Sequence, residues 1–299
     1  MLTNFFSKSK PITILIVFAI FLVLLILSFF NGKTQGTFIE LFTFFSIVLS
    51  IVIFIDTKNN LSYSNSYVLL VFVLLIAIFT TLKINSVFYA NVALLLFFRK
   101  IYSLQSPTGT YKKLFDSGLF LAISFLIEPF FLTFGLLLYL SIFLNKHLTI
   151  PTIIIPLTGF FVPLFLFLTY CFWFDKTDLF LNLFDLSINN NLSLYFQYKY
   201  LVPICIICLT ILISILIKTP KALAVKNDFR KSWILILFNL VFAIVVLFNI
   251  KNKDGSELIC VFFPVAIIIA NLIEIYEKEW FSSVFIALLI SLAITMSVV

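Results

Sequence analysis

Polar positions along this chain are sparse and fall in short islands, and the stretches between them are almost wholly apolar. Islands at Lys8–Lys10, Asn31–Thr37, Asp56–Ser66 and Lys83–Asn85 bound the runs Ile12–Phe30, Phe38–Ile55 and Tyr67–Leu82. Beyond them lie Ser86–Phe98, Ser117–Phe143, Pro151–Phe172, Leu201–Ile217, Trp233–Ile250, Leu258–Ile273 and Trp280–Val299. Runs of about 18 apolar residues match the hydrocarbon thickness as helices. Helices also bond their own backbone N–H and C=O groups where no water can. The pattern therefore predicts an all-α, polytopic transmembrane helical bundle of about 9–11 membrane segments. It is read as a single integral membrane domain over 1–299 with no soluble domain.

The segment on which the topology turns is Arg99–Phe143. A basic loop with Arg99, Lys100, Lys112 and Lys113 ends at Asp116, and the apolar run Ser117–Phe143 follows, broken at Glu128-Pro129. Proline lacks the N–H of a helix interior and clashes with the preceding turn, so the run kinks or breaks there. A single crossing and a Pro-broken helical hairpin both fit its length. The hairpin leaves the larger share of Lys and Arg on the N-terminal side, as orientation by positive charge requires with the N-terminus cytoplasmic. The side on which Lys146 and His147 emerge decides between the two. The run Ser86–Phe98 is short for a span, and an interfacial helix is expected over Leu179–Leu186 within the long loop Asp175–Tyr200. Trp173, Trp233 and Trp280 are expected as interfacial anchors.

Composition sharpens this picture. Hydrophobic residues make up 63% of the chain and charged ones 11%, where ordinary sequence carries roughly a quarter. The 40 phenylalanines read as AT-rich codon usage. The net charge of +7 sits in loops, which points to membrane orientation and away from nucleic acid. Cys205 and Cys208 have C-x-x-C spacing, but with no nearby His or acid they read as small buried hydrophobes, like Cys171 and Cys260.

Candidate chemistry is thin. Ionisable groups within a bilayer are costly, so each is a functional hypothesis. Glu128 and Glu40 are the candidate catalytic carboxylates. Both also have a helix-end reading, and an acid in a first turn suits the helix dipole. Asn91, Asn239 and Asn271 read as interhelical hydrogen-bonding groups. The single histidine, His147, has no partner for a metal site, and no cofactor is expected. P-loop, G-x-G-x-x-G, G-x-S-x-G and H-E-x-x-H motifs are absent from the sequence, and scarce intramembrane charge ranks a transporter third.

Several stretches carry a resemblance: Phe5-Phe6-Ser7-Lys8-Ser9-Lys10-Pro11, Asn91 with Arg99-Lys100-Ile101, Ser103-Leu104-Gln105, Phe115-Asp116-Ser117, and Asn252-Lys253 before Phe263-Pro264-Val265-Ala266-Ile267. In order and spacing the chain resembles an uncharacterised family of multi-span inner-membrane proteins of Bacteroidota, above all flavobacteria. That resemblance implies architecture and a bacterial inner-membrane location. A weaker one concerns Asn91–Phe143 and Lys253 with Phe262-Phe263-Pro264 and Ala266, which look like the GT-C superfamily of polyprenyl-phosphate-sugar glycosyltransferases. It implies that Lys253 meets a carrier phosphate and that an acid serves as base. In those enzymes the acid stands in a long first outer loop. Here that loop is only Asn31–Thr37, leaving Glu40 or Glu128 for the role. On this reading Glu40, Glu128, Lys253 and Asp254 share an outward cavity. The partners are membrane lipids, a polyprenyl-phosphate carrier among them. The alternative is a non-catalytic subunit that docks a membrane protein in envelope assembly.

Overall fold

The computed structural model describes residues 5–6, 10–63, 65–79, 82–185, 192–224, 227–251, 253–275 and 279–298. Lys8, Leu186, the Asn189–Asn191 run and Asn252 lie outside the described residues. The helices are α1 (Pro11–Phe30), α2 (Phe38–Asn59), α3 (Tyr67–Ile78), α4 (Ser86–Tyr102), α5 (Thr110–Ile127) and α6 (Gly135–Leu144). They continue as α7 (Ile150–Trp173), α8 (Thr177–Leu181), α9 (Tyr198–Ala224), α10 (Asn227–Asn249), α11 (Ile259–Ile275) and α12 (Glu279–Val298). Among the described residues no strand forms beyond the isolated bridge Gln35–Lys83. By length and composition, α1, α2, α4, α7, α9, α10 and α11 can each cross a membrane, and α3, α6 and α12 are shorter apolar helices. The chain is an all-α, multi-pass membrane protein.

The residues fall into two compact units. The first comprises 1–84, 191–236 and 253–299. At its centre are α3, buried along its whole length, and α11, buried from Ile259 to Ile273 except for Val261. Around them pack α1, α2, α9 and α12. Phe262 joins the two central helices through ring contacts with Phe72 and Phe79, and Ser214 of α9 donates to the Ile268 carbonyl at 2.7 Å. Trp233 is fully buried and gives its indole N–H to Thr219 Oγ1 at 3.2 Å. It is therefore a core residue and not an interfacial anchor, because a neighbouring hydroxyl supplies the partner that water would otherwise provide. Trp173 and Trp280 are exposed, as anchors require.

The second unit comprises 85–190 and 237–252, and it resolves the split run. Antiparallel α4 and α5 are joined at three levels. Lys100 Nζ meets Asp116 Oδ2 at 2.6 Å, Ser124 donates to the Ala90 carbonyl at 3.2 Å, and Ser86 donates to Glu128 Oε1 at 2.9 Å. Glu128 then leaves helical geometry at φ −136° and ψ 102°, and Pro129 opens a 3-10 turn, Pro129–Phe134. From there α6 returns: Ser141 donates to the Ile101 carbonyl at 3.2 Å, beside the end of α4 where α5 began. The run is a hairpin, and Lys146 and His147 share a cleft with Pro107–Lys112. The short fourth run also lengthens. Helix α4 continues through Arg99 and Lys100 to Tyr102, since cations in a last turn suit the helix dipole and Lys100 has a carboxylate partner.

Two amides behave as expected in spans. Asn239 donates to Tyr102 Oη at 3.1 Å and Asn271 to the Leu61 carbonyl at 3.3 Å. The buried amide nitrogen of Asn91 makes no hydrogen bond. Cys205 and Cys208 are exposed on α9, whereas Cys171 and Cys260 are buried. The C-x-x-C pair thus lies on an outward helix face three residues apart, and the burial expected of it does not occur. The interfacial helix is shorter than expected, with α8 running into a 3-10 turn, Asn182–Phe184.

The tightest packing in the second unit is where α5 crosses α7. A Cβ at Gly118 would lie 2.0 Å from the Pro156 carbonyl oxygen, and one at Gly159 would lie 2.2 Å from that of Phe115. Two glycines facing each other's backbones let the helices approach closely, the device by which helices associate in lipid. Gly118→Ala and Gly159→Ala should each lower the thermal midpoint in detergent. Overpacking costs about 1–3 kcal/mol, against at most about 1 kcal/mol gained in helix propensity. Variants that melt at or above the parent would show that the approach is not required.

Candidate functional site

The candidate carboxylate Glu40 is exposed at the third position of α2. Its backbone N–H donates to Thr37 Oγ1 at 3.3 Å, and its Oε2 accepts from Thr37 N–H at 3.1 Å. This is a capping box, in which side chains satisfy N–H groups that the helix start leaves open. The loop before it is tied down as well. Gln35 N–H donates to the Leu82 carbonyl at 3.4 Å, Asn31 Nδ2 reaches the Ser297 carbonyl at 3.0 Å and Lys33 Nζ the Met296 carbonyl at 2.8 Å.

Lys83 carries this loop end of the first unit on to the turn before α11. Its Nζ lies 3.2 Å from Asp254 Oδ2 and 3.1 Å from the Asp254 carbonyl oxygen. Asp254 Oδ1 accepts from Ser256 N–H at 3.1 Å and Ser256 Oγ at 2.5 Å. Gly255 turns at φ +90°, and a Cβ there would meet Tyr200 Oη at 2.8 Å, so the turn needs glycine twice over. Burial opposes ionisation of Asp254, but the bonds from Ser256 and Lys83 outweigh it and hold its carboxyl below the ordinary range. A carboxyl depressed by folding adds stability that is complete at neutral pH and is lost as the pH falls through its folded-state value.

Two residues on, Glu257 is fully buried. The phenol of Tyr195 donates to its Oε1, while Oε2 has no hydrogen-bond partner. Burial first, and then the Glu257 charge, push the Tyr195 phenol well above its usual value. The loop residues 31–37, 82–84, 192–200 and 253–258 of the first unit thus carry Lys33, Lys83, Lys199 and Lys253 alongside Asp254 and Glu257. Burial, and then repulsion from Lys199, lower the Lys33 ammonium, so those two cations lie within electrostatic reach of each other. Lys253 itself is partly buried.

Glu128 belongs to the second unit. Besides accepting from Ser86 it ends α5, its N–H bonded to the Ser124 carbonyl at 2.9 Å and its own carbonyl accepting from Phe131 N–H at 3.0 Å. Lys251 lies within electrostatic reach of it and pairs with Asp185 Oδ2 at 3.1 Å. Among the described residues no three His, Cys, Asp or Glu side chains converge on a metal cage.

The opposite end of the first unit holds a charged cluster that the sequence pattern did not single out. Glu274, in the last turn of α11, accepts at Oε1 from Asn65 Nδ2 at 2.5 Å and from Tyr63 N–H at 3.2 Å. Its Oε2 lies 4.0 Å from Lys218 Nζ, with the two side chains 4% and 5% exposed. The ammonium also sits over the rings of Tyr63 and Phe229, 5.3 and 5.0 Å from their centroids. Buried Asp56 accepts both its oxygens' bonds from Ser62, at 2.9 and 2.8 Å. The signal was present, since acids at the last turns of two apolar runs oppose the helix dipole and need a cation. The partner, however, comes from α9, far along the chain. Lys218→Met should cost about 3–5 kcal/mol of stability by stranding Glu274, and adding Glu274→Gln should recover most of it. Thermal unfolding of the single and double variants measures this. A double variant no more stable than Lys218→Met would show that the two charges are not coupled.

Comparison with known proteins places this architecture in a family while leaving its chemistry open. No curated protein and no solved structure matches the chain. The family described as "Family of unknown function (DUF6427)" matches residues 1–298. Since the match covers nearly every residue, the chain belongs to the DUF6427 family, a family of unknown function.

Proposed function

We propose that this protein lies in a bacterial inner membrane with its N-terminus in the cytoplasm and handles a lipid-linked anionic substrate at the loop end of the first unit. The substrate class is a polyprenyl-phosphate sugar, in keeping with the GT-C-like features of the sequence. The observation that carries this reading is the excess of lysine on loops 31–37, 82–84, 192–200 and 253–258, beside a buried carboxylate with one oxygen unbonded. Cations at a membrane interface favour phosphate, and Lys253 is the residue assigned to it. Lys83 is paired with Asp254 and neutralises it, so that carboxylate does not cancel the charge of Lys253.

In the corresponding reaction the sugar–phosphate C–O bond breaks as a bond to an acceptor hydroxyl forms. The hydroxyl proton passes to a carboxylate, and the leaving phosphate's charge develops against the lysines. Of the sequence candidates Glu128 lies in the second unit; in the first, Glu257, hydrogen-bonded to Tyr195, joins Glu40 as a candidate for that carboxylate. It is the one within four residues of Lys253. A second reading, a non-catalytic subunit docking a membrane partner in envelope assembly, is favoured by one observation: Glu40 and Glu128 are both engaged in helix-end hydrogen bonds.

Native mass spectrometry of protein extracted gently from its own membrane separates the two. The proposal expects a bound species with the mass of a polyprenyl phosphate or its sugar adduct, lost in Lys253→Gln and kept in Glu257→Gln. A stoichiometric protein partner with no such lipid would overturn it in favour of the second reading.

A further inference from the structure

The second unit has a cleft of ≈ 470 Å³ between the start of α5 and the turn joining α6 to α7. Pro107, Gly109 and Lys112 line one wall, and Lys146, His147 and Thr149 the other. Its chemistry is that of an anion site. Three basic or imidazole residues line one volume, and the carboxylate nearest to Lys112 in sequence, Asp116, is already paired with Lys100. The start of α5 adds to this. Its N-cap is Gly109 at φ +66°, which supplies no side-chain cap, so the open N–H groups and the positive end of an 18-residue helix are presented at the cleft.

Both walls are held in place by bonds that leave the basic groups available. Lys113, not Lys112, fixes the loop before α5, donating to the Ser103 carbonyl at 2.7 Å and to the Ser106 carbonyl and hydroxyl at 3.0 and 2.6 Å. Across the cleft, Lys146 N–H bonds the Phe143 carbonyl at 3.0 Å and His147 N–H the Ile142 carbonyl at 3.1 Å. Thr152 Oγ1 closes the turn on the His147 carbonyl at 2.5 Å. Lys146 stands at φ +57°, a helix-end position where glycine is the cheapest residue. A lysine there supplies a charge that glycine would not.

The rim is apolar. Tyr111, Leu148 and Ile150 are 57%, 54% and 76% exposed. Basic residues in a cleft with exposed apolar neighbours in the same segments are the combination expected where headgroups meet acyl chains. We infer that Lys112, Lys146, His147 and the start of α5 form a binding site for a phosphate group, such as that of an anionic phospholipid headgroup. This site is independent of the function proposed above, whose residues lie in the other unit.

The only histidine in the chain makes the test direct. With the full-length protein labelled at histidine, the ring resonances of His147 are followed in nanodiscs of phosphatidylcholine and of phosphatidylglycerol, and in detergent with inorganic phosphate. A shift with phosphatidylglycerol and not with phosphate assigns the site to a lipid headgroup, and a shift with phosphate assigns it to the phosphate group alone. Either shift should be lost in Lys112→Gln/Lys146→Gln. Each lysine removed should weaken phosphatidylglycerol binding about fivefold. These lysines are exposed, so the double variant should keep the parent's thermal midpoint. An unmoved His147 signal under every condition, or a shift that survives in the double variant, would overturn the assignment.

Discussion

Hydrocarbon offers no partner for a polar group, and that constraint organises this molecule. Backbone groups must bond within their own helix or turn, and side-chain hydroxyls follow suit. Thr43, Ser50 and Thr57 each return their proton to a carbonyl one turn back. Charges that cannot be absorbed this way collect at helix ends, and there they meet. Lys100 with Asp116, Lys83 with Asp254 and Lys218 with Glu274 each link two elements at such an end. Between the ends, contact is left to rings, hydroxyls and the opposed glycines of α5 and α7.

The same constraint explains the hairpin. A proline after an acid would be expensive in mid-membrane. At the tip of a returning pair, Glu128 ends one helix, accepts a bond from Ser86 and lies within reach of Lys251. Pro129 starts the return in the first position of a new turn, where its missing N–H costs nothing. Positive charge along the sequence favoured this arrangement, and the Ser141–Ile101 bond and the shared cleft of Lys112 and Lys146 show it directly.

Much of the fold was legible because apolar runs and the islands between them report on a local property, the length of a helix in lipid. What involved distant partners was not. Glu274 and Lys218 sit at the margins of two runs, and nothing in their neighbourhood announces the other. Trp233 stands where an anchor would stand, and only Thr219 on another helix turns it inward. The glycines at 118 and 159 are ordinary letters until their helices cross. The candidate site was partly legible. Lys253 and Asp254 lie on the loop end that the lysines populate, and the capping role of Glu40 follows from Thr37 three residues before it. Glu257 was not singled out, because its burial depends on a tyrosine 62 residues earlier in the chain.

Since every crossing after Glu128 takes its direction from the hairpin, the side on which its two flanking loops emerge is the most direct test of the account. Single cysteines at Lys112, Lys146 and Asp185, introduced after the four native cysteines are replaced by serine or alanine, can be labelled with an impermeant maleimide in oriented membrane vesicles. Lys112→Cys and Lys146→Cys should react from the same side and Asp185→Cys from the other. Labelling of Lys112→Cys and Lys146→Cys from opposite sides would mean that the run crosses once, and the returning helix would be wrong.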